Sequence, residues 1–249
     1  MKVKSILISQ PEPSGENSPY FDIAKKHKVV VDFRPFIHVE GATAREVRSQ
    51  KIDFSKFTAV IFTSRNAVDH YFRLCEEMRF PVLDAMKYFC KSEAIANYLQ
   101  KYIVYRKKKV FVGQKSFEDL IPCLLKYKNE KFFLPTADIS TDDDSDILDQ
   151  NNLTWSKGVL FKTVCSDLSD LDDVTYDILV FFSPSGIKSL FENFPGFKQN
   201  NTRIAVFGQS TLEAVIEHGL EAQIQVPSAE YPSMTTALDK YITQANKGK

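Results

Sequence analysis

Four short stretches with hydroxyl side chains lie where helices are predicted to begin, and their chemistry suits the binding of an anion. They are Thr63-Ser64, Ser183-Pro184-Ser185-Gly186, Ser210-Thr211 and Pro232-Ser233. The first backbone N–H groups of a helix have no partner inside the helix, so they donate either to a capping side chain or to an anionic ligand. For a single stretch, a helix cap is the favoured interpretation. With four such stretches in one chain, a ligand-binding role is as well supported as a capping role.

The remaining residues show no spacing typical of a covalent catalytic site or of a metal site. The four histidines show no spacing with an acid or a nucleophile, and the four cysteines form no CxxC pair or zinc pattern. The acidic run at 141–146 could suggest a metal loop, but it is also typical of a helix start, so no metal site is predicted. No GxGxxG, P-loop or GxSxG motif is present, and the catalytic residue stays unknown.

The elements that must position these hydroxyls alternate between apolar runs and helical patterns. Residues 178–180 form an apolar run that leads into the stretch FFSPSG (residues 181–186) and a helix, and residues 59–62 and 203–207 repeat this arrangement. Ser92 is predicted to cap a further helix after the run at 87–90. This rhythm indicates parallel strands with crossover helices, in which every strand-to-helix turn lies at the same edge of its sheet.

Composition limits the classes of partner. The chain has 249 residues, an apolar fraction of 43% and equal numbers of basic and acidic residues, 32 of each, so its formal net charge is zero. That balance argues against nucleic-acid and anionic-membrane partners, and any anion must be bound by local groups. The apolar run near the N-terminus is too short for a signal peptide or a membrane span, and the scattered cysteines are typical of reduced thiols, so a cytoplasmic location is expected.

The order of the strands predicts a discontinuous domain. Only two strands precede the extended connector at 34–41, too few for an independent sheet, and three more follow residue 173. We therefore expect one α/β domain from residues 1–36 and 166–249, and an inserted α/β domain from residues 40–160. The hinge is expected in two extended crossings, at 35–41 and 157–166.

Three motifs give the chain a family resemblance. Residues 59–68 (AVIFTSRNAV), 181–186 (FFSPSG) and 204–211 (IAVFGQST) resemble, in order and spacing, those of the uroporphyrinogen III synthase family. The segments at 133–135 and 159–164 add to the resemblance, which spans nearly the whole chain. It implies an α/β protein with two flavodoxin-like parallel-sheet domains joined by two extended crossings.

The resemblance also implies a function. Members of this family are cofactor-free lyases of heme and porphyrin biosynthesis that act on hydroxymethylbilane, a linear tetrapyrrole with eight carboxylates. They close it with loss of water and invert the last ring through a spiro intermediate. The resemblance implies a monomer with a small-molecule substrate, no cofactor, and an interdomain cleft lined by Thr63, Ser64, Ser183, Ser185, Gly186, Ser210, Thr211, Lys162 and Ser233. We expect the free N–H groups of Ser185 and Gly186 to face a substrate carboxylate, helped by cations such as Arg34, Arg65, Lys162 and Lys188.

One departure from the family pattern bears on mechanism. Phe161 stands where the family usually has tyrosine, so a hydroxyl that could act as a general acid is missing. Either that acid is dispensable, or Tyr231, Lys162 or a water substitutes for it, or the protein is impaired. Two alternative functions stay open: a non-catalytic two-domain module that senses a tetrapyrrole or another anion, and an enzyme of this architecture that acts on another carboxylated metabolite.

Overall fold

A computed structural model describes residues 2–15, 17–114, 116–139, 143–171 and 174–247. The chain forms two compact units, unit 1 from Met1–His38 and Val164–Lys249, and unit 2 from Val39–Thr163. It enters unit 2 within one strand, Ile37–Gly41, and returns to unit 1 within another, Trp155–Cys165.

The elements are numbered in chain order. The strands are β1 Ser5–Ile8, β2 Val30–Phe33, β3 Ile37–Gly41, β4 Ala59–Phe62, β5 Lys87–Cys90, β6 Val110–Val112, β7 Phe132–Ala137, β8 Trp155–Cys165, β9 Ile178–Phe181, β10 Arg203–Phe207 and β11 Ala222–Val226. The helices are α1 Pro19–His27, α2 Ala44–Ser49, α3 Arg65–Glu77, α4 Glu93–Leu99, α5 Ile121–Lys126, α6 Asp143–Gln150, α7 Pro184–Asn193, α8 Gln209–Glu217 and α9 Met234–Lys247. Short 3₁₀ turns occur at Phe54–Lys56 and Glu118–Leu120.

Unit 1 contains a five-stranded sheet with helices on both faces. Its strand order is β2-β1-β9-β10-β11, and every adjacent pair is parallel. On one face, Ile8 and Val180 belong to a core shared with α1 and α9; on the other, Leu7 and Leu179 belong to a core shared with α7 and α8. Relative to the chain order within the unit, the strands run 2-1-3-4-5, which is the flavodoxin-like arrangement.

Unit 2 is also a doubly wound sheet, with a different strand order. The order is β3-β8-β7-β4-β5-β6, and the pairs from β8 to β6 are parallel. If β3 is left out and strands β4 to β8 are numbered 1 to 5 in chain order, their spatial order from β6 to β8 is 3-2-1-4-5. Helices α2, α3 and α4 pack on one face around Phe133, while α5 and α6 pack on the other around Phe132.

The predicted α/β class with two mostly parallel sheets is confirmed, and one local expectation is corrected. The extended connector expected at 34–41 contains strand β3, which lies at the edge of a sheet beside β8. Strand β8 is continuous from Trp155 to Cys165, and its residues 155–159 pair in unbroken register with β7.

Two further features concern the described residues as a whole. All four cysteines are free; Cys75 and Cys90 are buried, whereas Cys123 and Cys165 are half-buried. Burial raises the pKa of the Cys75 thiol to about 11 and that of Cys90 to about 12.

Within the described ranges, every helix is too short or too polar to cross a membrane.

Candidate functional site

Two of the four hydroxyl turns lie where the strand order of their sheet reverses. In unit 1 the order reverses between β1 and β9, and the FFSPSG turn follows β9 directly. In unit 2 it reverses between β4 and β7, and the turn at Thr63-Ser64 follows β4. Doubly wound sheets bind their ligands at the carboxyl ends of the strands at such reversal points. Topology therefore selects these two turns as the candidate site of each unit.

The FFSPSG turn is a capped helix start. Ser183 occupies the N-cap position of α7, and its Oγ accepts a hydrogen bond from the Gly186 N–H at 3.3 Å. The Ser183 carbonyl accepts from the same N–H at 3.1 Å, so the expectation that this group is free is wrong. Pro184 has no N–H. Among the described residues, the Ser185 N–H has no hydrogen-bond acceptor, which leaves it as an open donor in the first turn of α7.

Packing explains the glycine in this turn. Gly186 is buried, and a Cβ atom there would lie 3.3 Å from Cδ1 of Phe181, which is tighter than ordinary van der Waals contact. The residue type therefore reflects close packing of α7 against the end of β9.

The corresponding turn in unit 2 is capped in the same way. Ser64 is the N-cap of α3, and its Oγ accepts from the Ala67 N–H at 3.1 Å. The N–H groups of Arg65 and Asn66 have no acceptor within the described part of the chain. Ser92 adopts the same extended backbone before α4, but its side chain makes no capping hydrogen bond, so the predicted cap there is wrong.

The other two hydroxyl turns lie in unit 1. Gly208 precedes α8 with φ of +86°, a conformation that favours glycine, and it has no side chain with which to cap the helix. Ser210 is exposed, whereas Thr211 is 1% exposed. The Thr211 hydroxyl therefore faces the interior, and only the backbone of Thr211 lies near the carboxyl ends of the strands. At the start of α9, Ser233 Oγ accepts from the Thr236 N–H at 3.2 Å.

Sequence analysis missed an apolar pocket beside these helix starts. The pocket measures about 260 Å³ and is lined by Tyr20, Phe182, Phe207, Pro232, Ser233, Met234 and Thr235. The ring centroids of Phe182 and Phe207 lie 6.2 Å apart, and Phe207 is 41% exposed. Phe207 ends an apolar strand, so its sequence context resembles that of a core residue and gives no sign of this exposure.

Three of the four predicted anion-binding cations form ion pairs inside their own unit. They are Arg34 with Asp170, Lys162 with Glu46 at 3.4 Å, and Lys188 with Glu192 at 3.5 Å. The pKa of the exposed Glu46 carboxyl falls to about 2, chiefly because it accepts a hydrogen bond from the Thr43 N–H, with smaller effects of the Thr43 hydroxyl and Lys162. A cation already paired with a carboxylate is less available to a ligand.

Arg65 differs from the other three. No carboxylate pairs with it in the described residues, and its guanidinium carbon lies 5.4 Å from the ring centroid of Tyr98. The Tyr98 hydroxyl contacts both carboxylate oxygens of Asp69, at 2.8 and 2.9 Å, which fixes the ring beneath the guanidinium. Arg65 is exposed at the first position of α3, so it presents a positioned positive charge beside the open N–H groups of that helix.

Phe161 lies near the carboxyl end of the unit 2 sheet, opposite Ala137, the last residue of β7. It is 7% exposed and stacks on His70, with ring centroids 5.4 Å apart. Burial, and then the nearby Arg73 guanidinium, lower the pKa of His70, and Nε of Arg73 donates to its Nδ1 at 3.2 Å. Both effects favour a neutral imidazole at this position.

No cluster of three or more His, Cys, Asp or Glu side chains suited to a metal ion occurs among the described residues. Thr141 and Asp142, from the acidic run considered as a metal loop, lie outside those residues. Asp143 and Asp144 begin α6, as the helix-start interpretation predicts.

The chain is similar to known proteins both in sequence and in fold. The model of the family described as uroporphyrinogen-III synthase HemD matches residues 20–236, which is 217 of the 249 residues. The structure of uroporphyrinogen-III synthetase from Helicobacter pylori 26695 has a TM-score of 0.60 at 17% identity, covering 97% of this chain and 99% of that one.

A second structure, of a mutant uroporphyrinogen III synthase from the extremely thermophilic bacterium Thermus thermophilus, has a TM-score of 0.51 at 12% identity, with coverage of 99% and 100%. At these identities the structures show a shared fold. No curated protein sequence matches the chain significantly.

The capping geometry predicts unequal effects for three similar substitutions. Ser64→Ala and Ser183→Ala remove a capping hydrogen bond and should each lower the free energy of unfolding by about 1 kcal/mol. Ser92→Ala is the matched control, because Ser92 makes no such bond, and its effect should stay within about 0.5 kcal/mol. Urea denaturation of the three variants measures the difference, and equal losses would contradict the assignment.

Proposed function

The chain belongs to the uroporphyrinogen-III synthase family, and we propose that it converts hydroxymethylbilane to uroporphyrinogen III. The observation that carries this proposal is the family match over residues 20–236, which includes residues of both units and both turns at the reversal points. Zero net charge is compatible with a polycarboxylate substrate if binding relies on local donors, and the open helix starts supply such donors.

The proposed reaction begins with loss of water. The C–O bond of the hydroxymethyl group breaks as a proton joins the departing hydroxyl, and the pyrrole nitrogen's electrons stabilise the resulting azafulvene. The substituted carbon of the last ring then attacks this electrophile to form a spiro intermediate. The bond from that carbon to its original methylene bridge breaks and leaves a second azafulvene on the neighbouring ring. The free α-carbon of the last ring attacks that azafulvene, which closes the macrocycle with the ring inverted, and loss of a proton restores aromaticity. No redox partner is needed, because the net change is removal of one water.

In this proposal the protein's main task is orientation. Spontaneous closure of the linear substrate gives the isomer without inversion, so the enzyme must hold the chain in the geometry that favours attack by the substituted carbon. The N–H groups of Ser185, Arg65 and Asn66 are the proposed donors to substrate carboxylates, together with those at the uncapped start of α8. The apolar pocket beside Phe182 and Phe207 is the proposed contact for a pyrrole ring, since aromatic rings favour such surfaces.

The product isomer tests this function directly. Purified protein supplied with hydroxymethylbilane should give the type III isomer, resolved by chromatography after oxidation to the porphyrin, faster than the type I isomer forms without protein. Exclusive formation of type I at the spontaneous rate would contradict the proposal. If only type I formed but a separate titration showed that uroporphyrinogen binds to the protein, the two results together would support the alternative of a tetrapyrrole-sensing module.

Arg65 should contribute to substrate affinity. Arg65→Gln removes the positioned charge beside the start of α3. We expect KM to rise about tenfold with little change in kcat, because this charge binds the substrate and the transition state equally. Lys188→Gln is the control, because Lys188 is paired with Glu192, and it should change KM by less than about twofold. Initial rates of type III formation at varied substrate concentration give both parameters; equal effects of the two variants would remove Arg65 from the site.

Phe161 tests whether the missing tyrosine hydroxyl matters. We expect Phe161→Tyr to leave kcat within about tenfold of the parent, because orientation rather than proton donation from this position limits the reaction. Initial rates of type III formation at saturating substrate measure kcat for both proteins. A gain of about a hundredfold would show that the native site lacks an important acid.

A further inference from the structure

A basic pocket in unit 2 lies away from the candidate site. It measures about 460 Å³, and its lining includes Lys51, Lys56, Lys131, Lys157, Ile52 and Trp155. Lys131 immediately precedes β7 and Trp155 begins β8, so the pocket is at the amino ends of strands whose carboxyl ends form the rim of unit 2. The six residues of β7 separate the two ends by about 20 Å.

The charge of the basic pocket is strongly asymmetric. Its lining has four lysines and one acidic residue, Asp53, which gives a formal net charge of +3 (four minus one). The Asp53 carboxylate already accepts hydrogen bonds from the Ser55 hydroxyl at 2.6 Å and the Ser55 N–H at 3.0 Å. It also lies 3.7 Å from the Lys56 ammonium. Lys51 and Lys131 have no carboxylate partner among the described residues.

The floor and one wall of the basic pocket are held in place. The Trp155 indole N–H donates to Asp149 Oδ1 at 2.7 Å, which fixes the orientation of the half-buried ring. The Gln50 side-chain amide donates to the Val159 carbonyl at 2.8 Å and accepts from the Val159 N–H at 2.9 Å. These bonds connect the segment after α2 to β8, so the pocket is formed without a ligand.

We propose that the basic pocket binds an organic phosphate that carries an apolar or aromatic group. Lysine ammonium groups bind phosphate oxygens as compact point charges, and the lining supplies four of them. Ile52 and Trp155 provide an apolar surface for the rest of the ligand. The volume lies in the range of pockets that hold small molecules. This inference does not depend on the proposed function, because the pocket lies at the opposite ends of the strands.

The chain carries its own reporter for this proposal. Trp155 is the only tryptophan in the 249 residues, so intrinsic tryptophan fluorescence reports on the basic pocket alone. Two probes are used. Binding of ADP is measured by isothermal titration calorimetry. Binding of pyrophosphate is measured by tryptophan fluorescence, because pyrophosphate does not absorb at the wavelengths that tryptophan absorbs and emits. We expect ADP to bind with a Kd below about 1 mM at low salt, pyrophosphate to bind more weakly, and both affinities to fall as salt screens the charges.

Two matched variants locate the binding. Lys131→Gln should raise the Kd for ADP about tenfold, since it removes one unpaired charge from the pocket. Lys108→Gln removes an exposed charge outside the pocket and should leave the Kd unchanged. Both variants should retain type III isomer formation at the parent rate, which separates this test from that of the proposed function.

Three results would overturn the proposal. They are no heat of binding with ADP at a concentration of about 5 mM, equal effects of the two variants, or tighter binding of citrate than of ADP. The last result would assign the pocket to polycarboxylates instead of phosphates.

Discussion

A sheet of parallel strands requires each chain reversal to be made by a crossover connection, and this requirement determines where the chemistry of this protein lies. In both units the helices run back from the carboxyl ends of the strands, so the helix N-termini collect at one edge of each sheet. That edge carries unpaired N–H groups and the positive ends of helix dipoles. A protein without net charge can thereby present local anion-binding groups.

The cap residues decide how many of those donors stay open. A serine at the N-cap takes the N–H of the third helical residue, as Ser64 does with Ala67 and Ser183 with Gly186. Pro184 removes another donor from α7, so among the first three helical residues Ser185 alone keeps an open N–H. Gly208, which has no side chain, leaves the first turn of α8 uncapped. Stability and ligand binding therefore compete for the same few groups, and the sequence of each turn sets the balance.

Much of this arrangement could be predicted from the sequence, because it follows from local patterns. Apolar runs and cap residues predict the strands of both sheets other than β3, and the starts of α3 and α7. The hydrogen bond of the Gly186 N–H is also predictable from the sequence, because the spacing from Ser183 is that of a capped third helical residue. Helical periodicity places Thr211 on the same face as Ala214 and Val215, which are in the core, and so could have shown that its side chain faces inward.

Ion-pair choice could not be predicted in this way. Arg34 pairs with Asp170, 136 residues away, and Lys162 pairs with Glu46, 116 residues away, so tertiary structure decides which cations are left without a partner. Strand β3 was missed because its residues are mostly exposed and show no buried pattern, while its pairing partner lies more than a hundred residues along the chain.

In the proposed complex, open N–H groups at the carboxyl ends of the strands bind the carboxylates of a tetrapyrrole. Amide resonances of ¹⁵N-labelled protein, followed as the stable oxidised product uroporphyrin III is added, report on these groups individually. We predict saturable shifts at Ser185, Arg65, Asn66 and Gln209, and no shifts at the amino ends of the strands. Shifts confined to residues away from these helix starts, or no shifts at saturating uroporphyrin III, would contradict it.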